Sequence, residues 1–157
     1  MNRWEQGRPV IEALIAERRL ETVDANRPHA EAMLDQARSH LASAEILAAT
    51  DDQVMAFTAA YDGARKALTA ILANQGLRPR GSEGGHAVVL EAVLAQLDPP
   101  MGRDLREFSW MRRTRNDSEY PSPDRPVATD QDVKEAIPAA RTIVDIATKV
   151  VAVMPRF

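Results

Sequence analysis

An all-α fold is predicted by three features of this 157-residue chain. It is rich in alanine, leucine, glutamate and arginine. Its glycines and prolines gather at a few points, and the apolar residues between those points recur at three- and four-residue spacing. With 45% hydrophobic residues the chain can bury one real core, so a single globular domain is expected, with residues 1–26 as a helical N-terminal extension and 27–157 as the bundle.

Six helical segments account for the pattern. The first, about Pro9 to Leu20, sets Val10, Ile11, Leu14 and Ile15 on one side, with Pro9 suited to a first turn. Asn26 should cap the second, which carries Met33, Leu34, Ala37, Leu41, Ala44 and Leu47 as far as Ala49. Asp51 or Asp52 should cap the third, whose stripe of Phe57, Tyr61, Ala64, Leu68, Ile71 and Leu72 ends at Gly76. A short connection makes these two antiparallel neighbours. Pro79, Gly81, Gly84 and Gly85 make Arg78 to Gly85 a loop, and a fourth helix follows with Val89, Leu90, Val93, Leu94 and Leu97 until Asp98-Pro99-Pro100 closes it. A fifth begins after Gly102 and holds Leu105, Phe108, Arg112 and Arg115 on one face, its last turn running from Arg115 to Tyr120 before Pro121 and Pro123. Thr129 or Asp130 starts the long final helix, which Pro138 should kink or delay.

Composition excludes several functions. The absence of cysteine removes disulfides, thiolate metal sites and a cysteine nucleophile. MNRWEQGRP is too charged for a signal peptide, and no apolar run is long enough for a membrane span, so a cytoplasmic protein is expected. A net charge of -3 and 4% aromatic residues argue against a broad nucleic-acid surface, so any RNA contact must be local. His29 and His40 lie eleven apart without partners at ligand spacing; no metal and no cofactor is expected.

The run AAYDGARKALTAILANQGL (Ala59 to Leu77), His86 at the next helix start and the Arg115-Asn116 pair at the end of a later helix together resemble the HEPN superfamily, over roughly residues 30–154. MRRTRNDSEYPSPDRP (Met111 to Pro126) is similar to a branch of short actinobacterial-type members. The resemblance implies an antiparallel four-helix bundle core, here with a short N-terminal helix and a long C-terminal one. It also implies a homodimer in which the arginine-bearing helix ends of both protomers line a shared cleft. In many members an arginine, usually followed by asparagine, stands a few residues before a histidine, and the pair cuts RNA without a metal. Others are toxins, partners of nucleotidyltransferase antitoxins, or binding modules.

Mapped here, the motif gives Arg115 and Asn116 but Tyr120 in the histidine's place, and Ser122 where some toxins carry a tyrosine that a partner enzyme modifies. Metal-free cleavage needs a group to take the 2′-hydroxyl proton and positive charge on the forming phosphorane. Arg115 suits the second task through its planar fork of donors, and Asn116 can orient backbone or substrate. Tyr120, with an ordinary pKa of about 10, is a hydrogen-bond donor more readily than a base. The function implied is a dimeric interaction or RNA-binding component in toxin–antitoxin or defence biology, with a degenerate ribonuclease motif. Its rivals are an active metal-independent endoribonuclease using Arg115 and Tyr120, and a purely structural oligomer in which Arg115 pairs with Glu119.

Arg112, Arg113 and His86 are substrate-binding candidates, although His86 also suits a helix start. Arg78, Arg80, Arg103 and Arg106, interspersed with acids, read as a solvated face before a phosphate rim. GSEGGH (Gly81 to His86) lacks the Lys-Ser/Thr ending of a phosphate loop. Phe57 and Tyr61 are core, and Trp110 is an interface candidate.

Overall fold

The computed structural model describes residues 3–81 and 85–157. Its helices are α1 (Arg8–Ala16), α2 (Arg27–Ala48), α3 (Gln53–Gln75), α4 (Gly85–Leu97), α5 (Gly102–Leu105), α6 (Glu107–Glu119) and α7 (Asp130–Val153); two three-residue strands, β1 (Leu20–Thr22) and β2 (Leu77–Pro79), form an antiparallel ribbon. The chain is all-α apart from that ribbon.

Side chains that satisfy the free N–H groups of a first turn set the long helices. Asn26 accepts from the His29 amide at 2.9 Å, Asp52 from Met55 at 3.1 Å, and Thr129 and Asp132 form a reciprocal capping box. Gly76 ends α3 at φ 83, a left-handed conformation that only glycine adopts without strain; a Cβ there would also stand 2.7 Å from the Val23 carbonyl oxygen.

Helix α3 is the centre of the molecule and packs against α2, α7, α4 and α6; α2 also meets α7, and α4 meets α6. Its buried side chains include Ala56, Phe57, Ala60, Tyr61, Ala64, Ala67, Leu68 and Ile71. Those of α2 are Ala30, Leu34, Ala37, Leu41 and Ala44, and the alanines among them let the two backbones approach. At Gly63 a Cβ would stand 3.1 Å from the Ala37 carbonyl oxygen. A buried reciprocal amide pair ties α3 to α4: Gln75 Nε2 donates to Gln96 Oε1 at 2.6 Å, and Gln96 Nε2 donates back at 3.0 Å. The N-terminal segment joins this core, with Ile11 and Leu14 buried, α1 against α4, and Trp4 Nε1 donating to the Gln96 carbonyl at 3.0 Å.

Three expectations change. The first helix stops at Ala16, and Leu20 lies instead in β1, after Arg18 at φ 59. Leu77–Pro79, the start of the expected loop, is β2; Leu20 and Leu77 are buried and Arg78 pairs with Glu21 at 2.6 Å. Ser82 to Gly84, in the glycine-rich stretch before His86, lie outside the described residues. The fifth segment is divided at Arg106 into α5 and α6, where Arg106 pairs with Asp98. Pro138 does not delay α7: Lys134 and Pro138 are both exposed, so the carbonyl that loses its N–H partner can meet water.

Candidate functional site

Three helices bring the polar cluster together. On α3, the four-residue step that buries Phe57 and Tyr61 next reaches the part-buried Arg65, at the edge of a core stripe that itself continues through Ala64, Leu68 and Ile71. On α6, Phe108 and Met111 are buried and Arg112 and Arg115 follow at helical spacing. His86 stands at the start of α4.

Tyr61 is the hub. Its ring stacks on Phe108 with centroids 5.1 Å apart and planes 13° from parallel, and the Arg115 guanidinium lies 5.7 Å from its centroid on the cation–π side. Its hydroxyl shares a short hydrogen bond with His86 Nδ1. Burial pushes that hydroxyl up to about 12, although Arg115, Arg65 and Arg112 pull it down. Tyr61 therefore keeps its proton near neutrality. Burial, followed by the charges of Arg65, Arg115 and Arg112, holds His86 below the ordinary histidine value, with Asp62 opposing. The imidazole is thus neutral at pH 7.

Arg115 is 24% exposed and pairs with Glu119 at 3.1 Å, as their four-residue spacing predicts. That pair leaves its Nε buried without a hydrogen-bond partner. Its Nη1 reaches Asn116 Oδ1 only at 3.5 Å. Arg65 pairs loosely with Asp62 at 3.7 Å. Beside these groups lies an open groove of about 490 Å³, lined by His86, Leu90, Glu91, Phe108, Arg112 and Arg113 among others. Glu91, itself in that lining, pairs with Arg19 at 2.9 Å.

Of the expected site residues, Arg115, His86, Arg112 and Arg113 come together, and Asn116 adjoins them on α6. Tyr120 does not. It is the residue after α6, its side chain is 70% exposed, and it makes no side-chain hydrogen bond among the described residues. The expected last turn at Arg115 to Tyr120 stops one residue short: Ser118 is buried and its hydroxyl oxygen accepts from the Ala128 amide at 2.8 Å, which folds the following loop back.

Two residues escaped sequence reading. Tyr61 reads as core before it reads as a ligand contact, and Arg65 was not singled out; the signal for both was an arginine one turn after a tyrosine on the core stripe. Of the other arginines, Arg78 and Arg106 are neutralised by Glu21 and Asp98. Trp110 leans on Phe57, 5.8 Å between centroids, and its Nε1 donates to Glu107. Among the described residues no cluster of three His, Asp or Glu could hold a metal, and no helix is long and apolar enough to cross a membrane.

Comparison with curated proteins and with solved structures gives no match. The HEPN domain family model matches residues 30–150, which take in α2 to α7 nearly whole and every residue of the cluster around Tyr61 and His86, so the chain belongs to the HEPN domain family.

Proposed function

We propose that this HEPN-domain protein is a dimeric interaction or RNA-binding component, in a toxin–antitoxin or defence setting, and that Arg65, Arg112 and Arg115 hold an RNA phosphate beside His86. The observation that carries this is a concentration of charge. Three guanidinium groups act on one neutral Tyr61–His86 pair, Arg112 lines the open groove beside it with Arg113, and the acids close to them among the described residues are Asp62, Glu119 and the groove-lining Glu91. Arginines held so close repel one another, and a phosphate that accepts from their forks relieves the repulsion. Local recognition of this kind suits a chain whose net charge is -3.

The reading of Arg115 and Tyr120 as a ribonuclease pair finds less support, because Tyr120 points into solvent. The structural reading, in which Arg115 serves Glu119 alone, predicts that Arg115→Ala changes stability and nothing else.

Mixed-sequence single-stranded RNA supplies the test. Wild type should bind it, and Arg112→Ala and Arg115→Ala should weaken binding while far-ultraviolet circular dichroism stays unchanged. Binding that ignores both substitutions refutes the site. Sedimentation equilibrium tests the dimer, and a monomer at all concentrations removes it. Co-purification with a nucleotidyltransferase-type antitoxin would identify the partner class.

A further inference from the structure

We infer that a second groove, between α7, the end of α4 and the N-terminal segment, binds a small organic acid, an apolar chain ended by one carboxylate, with Lys149 as the group that meets the carboxylate. This groove shares no lining residue with the one beside Arg112, and the inference does not rest on the phosphate reading. Trp4, Gln6 and Val153 in its walls lie outside residues 30–150, so part of it is built by segments that the family model does not cover.

Three segments form the walls. Helix α7 contributes Lys149, Val150 and Val153, with Lys149 and Val153 four apart on one face. Leu97 ends α4, and Pro99, Pro100 and Met101 follow it. Trp4 closes the groove from the N-terminal side, its indole fixed by the hydrogen bond from Nε1 to the Gln96 carbonyl at 3.0 Å. The volume is about 250 Å³. That is the liquid volume of about eight water molecules at about 30 Å³ each, so the ligand is smaller than the drug-sized molecules that fill most pockets.

The choice of ligand follows from which lining groups are already committed. Trp4 Nε1 is taken by Gln96, Gln6 Nε2 donates to the Pro99 carbonyl at 2.9 Å, and Gln96 Nε2 donates to Gln75 Oε1 at 3.0 Å. Of the side-chain donors in the lining, Lys149 is the one with no hydrogen bond or ion pair among the described residues; Asp145, one turn before it, is not its partner. Around this cation collects apolar surface open to water: Val153 is 72% exposed, Pro99 and Pro100 are exposed, and Trp4 and Met101 are half-buried. The lysine stem can lie along such a wall while the ammonium stays at the mouth. An apolar chain in the groove displaces water from Trp4, Met101 and Val153, and a carboxylate at its end accepts from the ammonium. One point charge, without the fork of an arginine, matches a monoanion rather than a phosphate.

The experiment titrates full-length, nitrogen-15-labelled protein with octanoate, kept below its micelle-forming concentration, and in parallel with hexanoate and with 1-octanol. Trp4 and Trp110 give two indole N–H signals, which a Trp4→Phe variant assigns. Octanoate should shift the Trp4 signal and leave that of Trp110 in place. Hexanoate should bind more weakly, by up to about fourfold for each methylene lost from the groove. Lys149→Gln should weaken octanoate by about fivefold, the upper range for an exposed ion pair, and leave 1-octanol unaffected. Val153→Asp sets a carboxylate one turn from Lys149 and should weaken octanoate as well. Lys149 and Val153 are both exposed, so both variants should fold, which circular dichroism checks; if one does not, the other decides. A Trp4 signal that octanoate leaves in place, or moves no more than that of Trp110, overturns the inference. Octanoate affinity unchanged in Lys149→Gln overturns the choice of an acid. A Trp4 signal that moves with protein concentration, in a protein that ignores octanoate, makes the groove a contact between copies and overturns the inference too.

Discussion

Replacing Tyr61 with phenylalanine removes one hydroxyl from the junction of α3, α4 and α6 and keeps the ring that stacks on Phe108 at 5.1 Å. The hydroxyl's partner is His86 Nδ1. A neutral hydrogen bond contributes about 1 kcal/mol net, and the cost of an orphaned partner can raise the loss to about 3 kcal/mol when that partner is sealed from water. His86 is only half-buried, so water can reach its ring and the loss should stay near about 1 kcal/mol. For a chain of this size that is a fall of about 2–4 °C in Tm. Tyr61→Ala also removes the fully buried ring, for which the loss is about 3–5 kcal/mol. Urea unfolding followed by circular dichroism measures both; Tyr61→Phe should lower the midpoint by about 0.3–1 M with an unchanged slope. An unchanged midpoint would mean that the hydroxyl has no partner. A loss as large as that of Tyr61→Ala would mean that the hydroxyl, not the ring, organises the junction.

Binding of single-stranded RNA should weaken with salt, and Arg112→Ala should reduce the slope of log K against log salt by about 0.7, the release of one phosphate's counterion, read by titration at several salt concentrations. Acid should destabilise the fold through His40 and His86, both held below the ordinary value of 6.5, chiefly by burial. Above 6.5 each is neutral whether folded or unfolded; below it the unfolded chain binds protons that the folded chain resists, so stability is lost as pH falls from 6.5 through the folded values. Urea midpoints across that range check it, and a His86→Gln variant should show a shallower decline. Gln75→Leu should destabilise by about 1–3 kcal/mol, because it strands the buried Gln96 amide, while Gln75→Leu with Gln96→Leu should recover much of the loss in thermal unfolding.

Where local chemistry decides structure, it was legible from the residues. Asn26, Asp52 and Thr129 each satisfy an amide of the turn that follows, and Gly76 supplies a backbone conformation the next turn demands, so helix starts and stops could be read directly. The ribbon of Leu20–Thr22 with Leu77–Pro79 could not, since three residues carry no periodicity and the pairing spans the whole of α2 and α3. Nor could the break at Arg106, which depends on its pairing with Asp98 on the preceding loop. The site divides in the same way. Arg115, Asn116, Arg112 and Arg113 were recognisable as one stretch of one helix, and their proximity to His86 was available only from the fold. Tyr120 was placed by motif spacing, but the Ser118 contact with Ala128 ends the helix and turns that side chain outward. The Tyr61–His86 bond joins residues twenty-five positions apart, and Tyr61 looked apolar because its stripe is.

Arg115 stands at the centre of this account, between Tyr61, Glu119 and the groove-lining Arg112. The direct measurement is the affinity of mixed-sequence single-stranded RNA for wild type and for Arg115→Ala, both checked for folding by thermal unfolding. A charge-assisted contact to phosphate contributes about 1.5–3 kcal/mol, so the affinity of Arg115→Ala should fall by roughly tenfold to a hundredfold. Equal affinities in two folded proteins would contradict a phosphate site at Arg115.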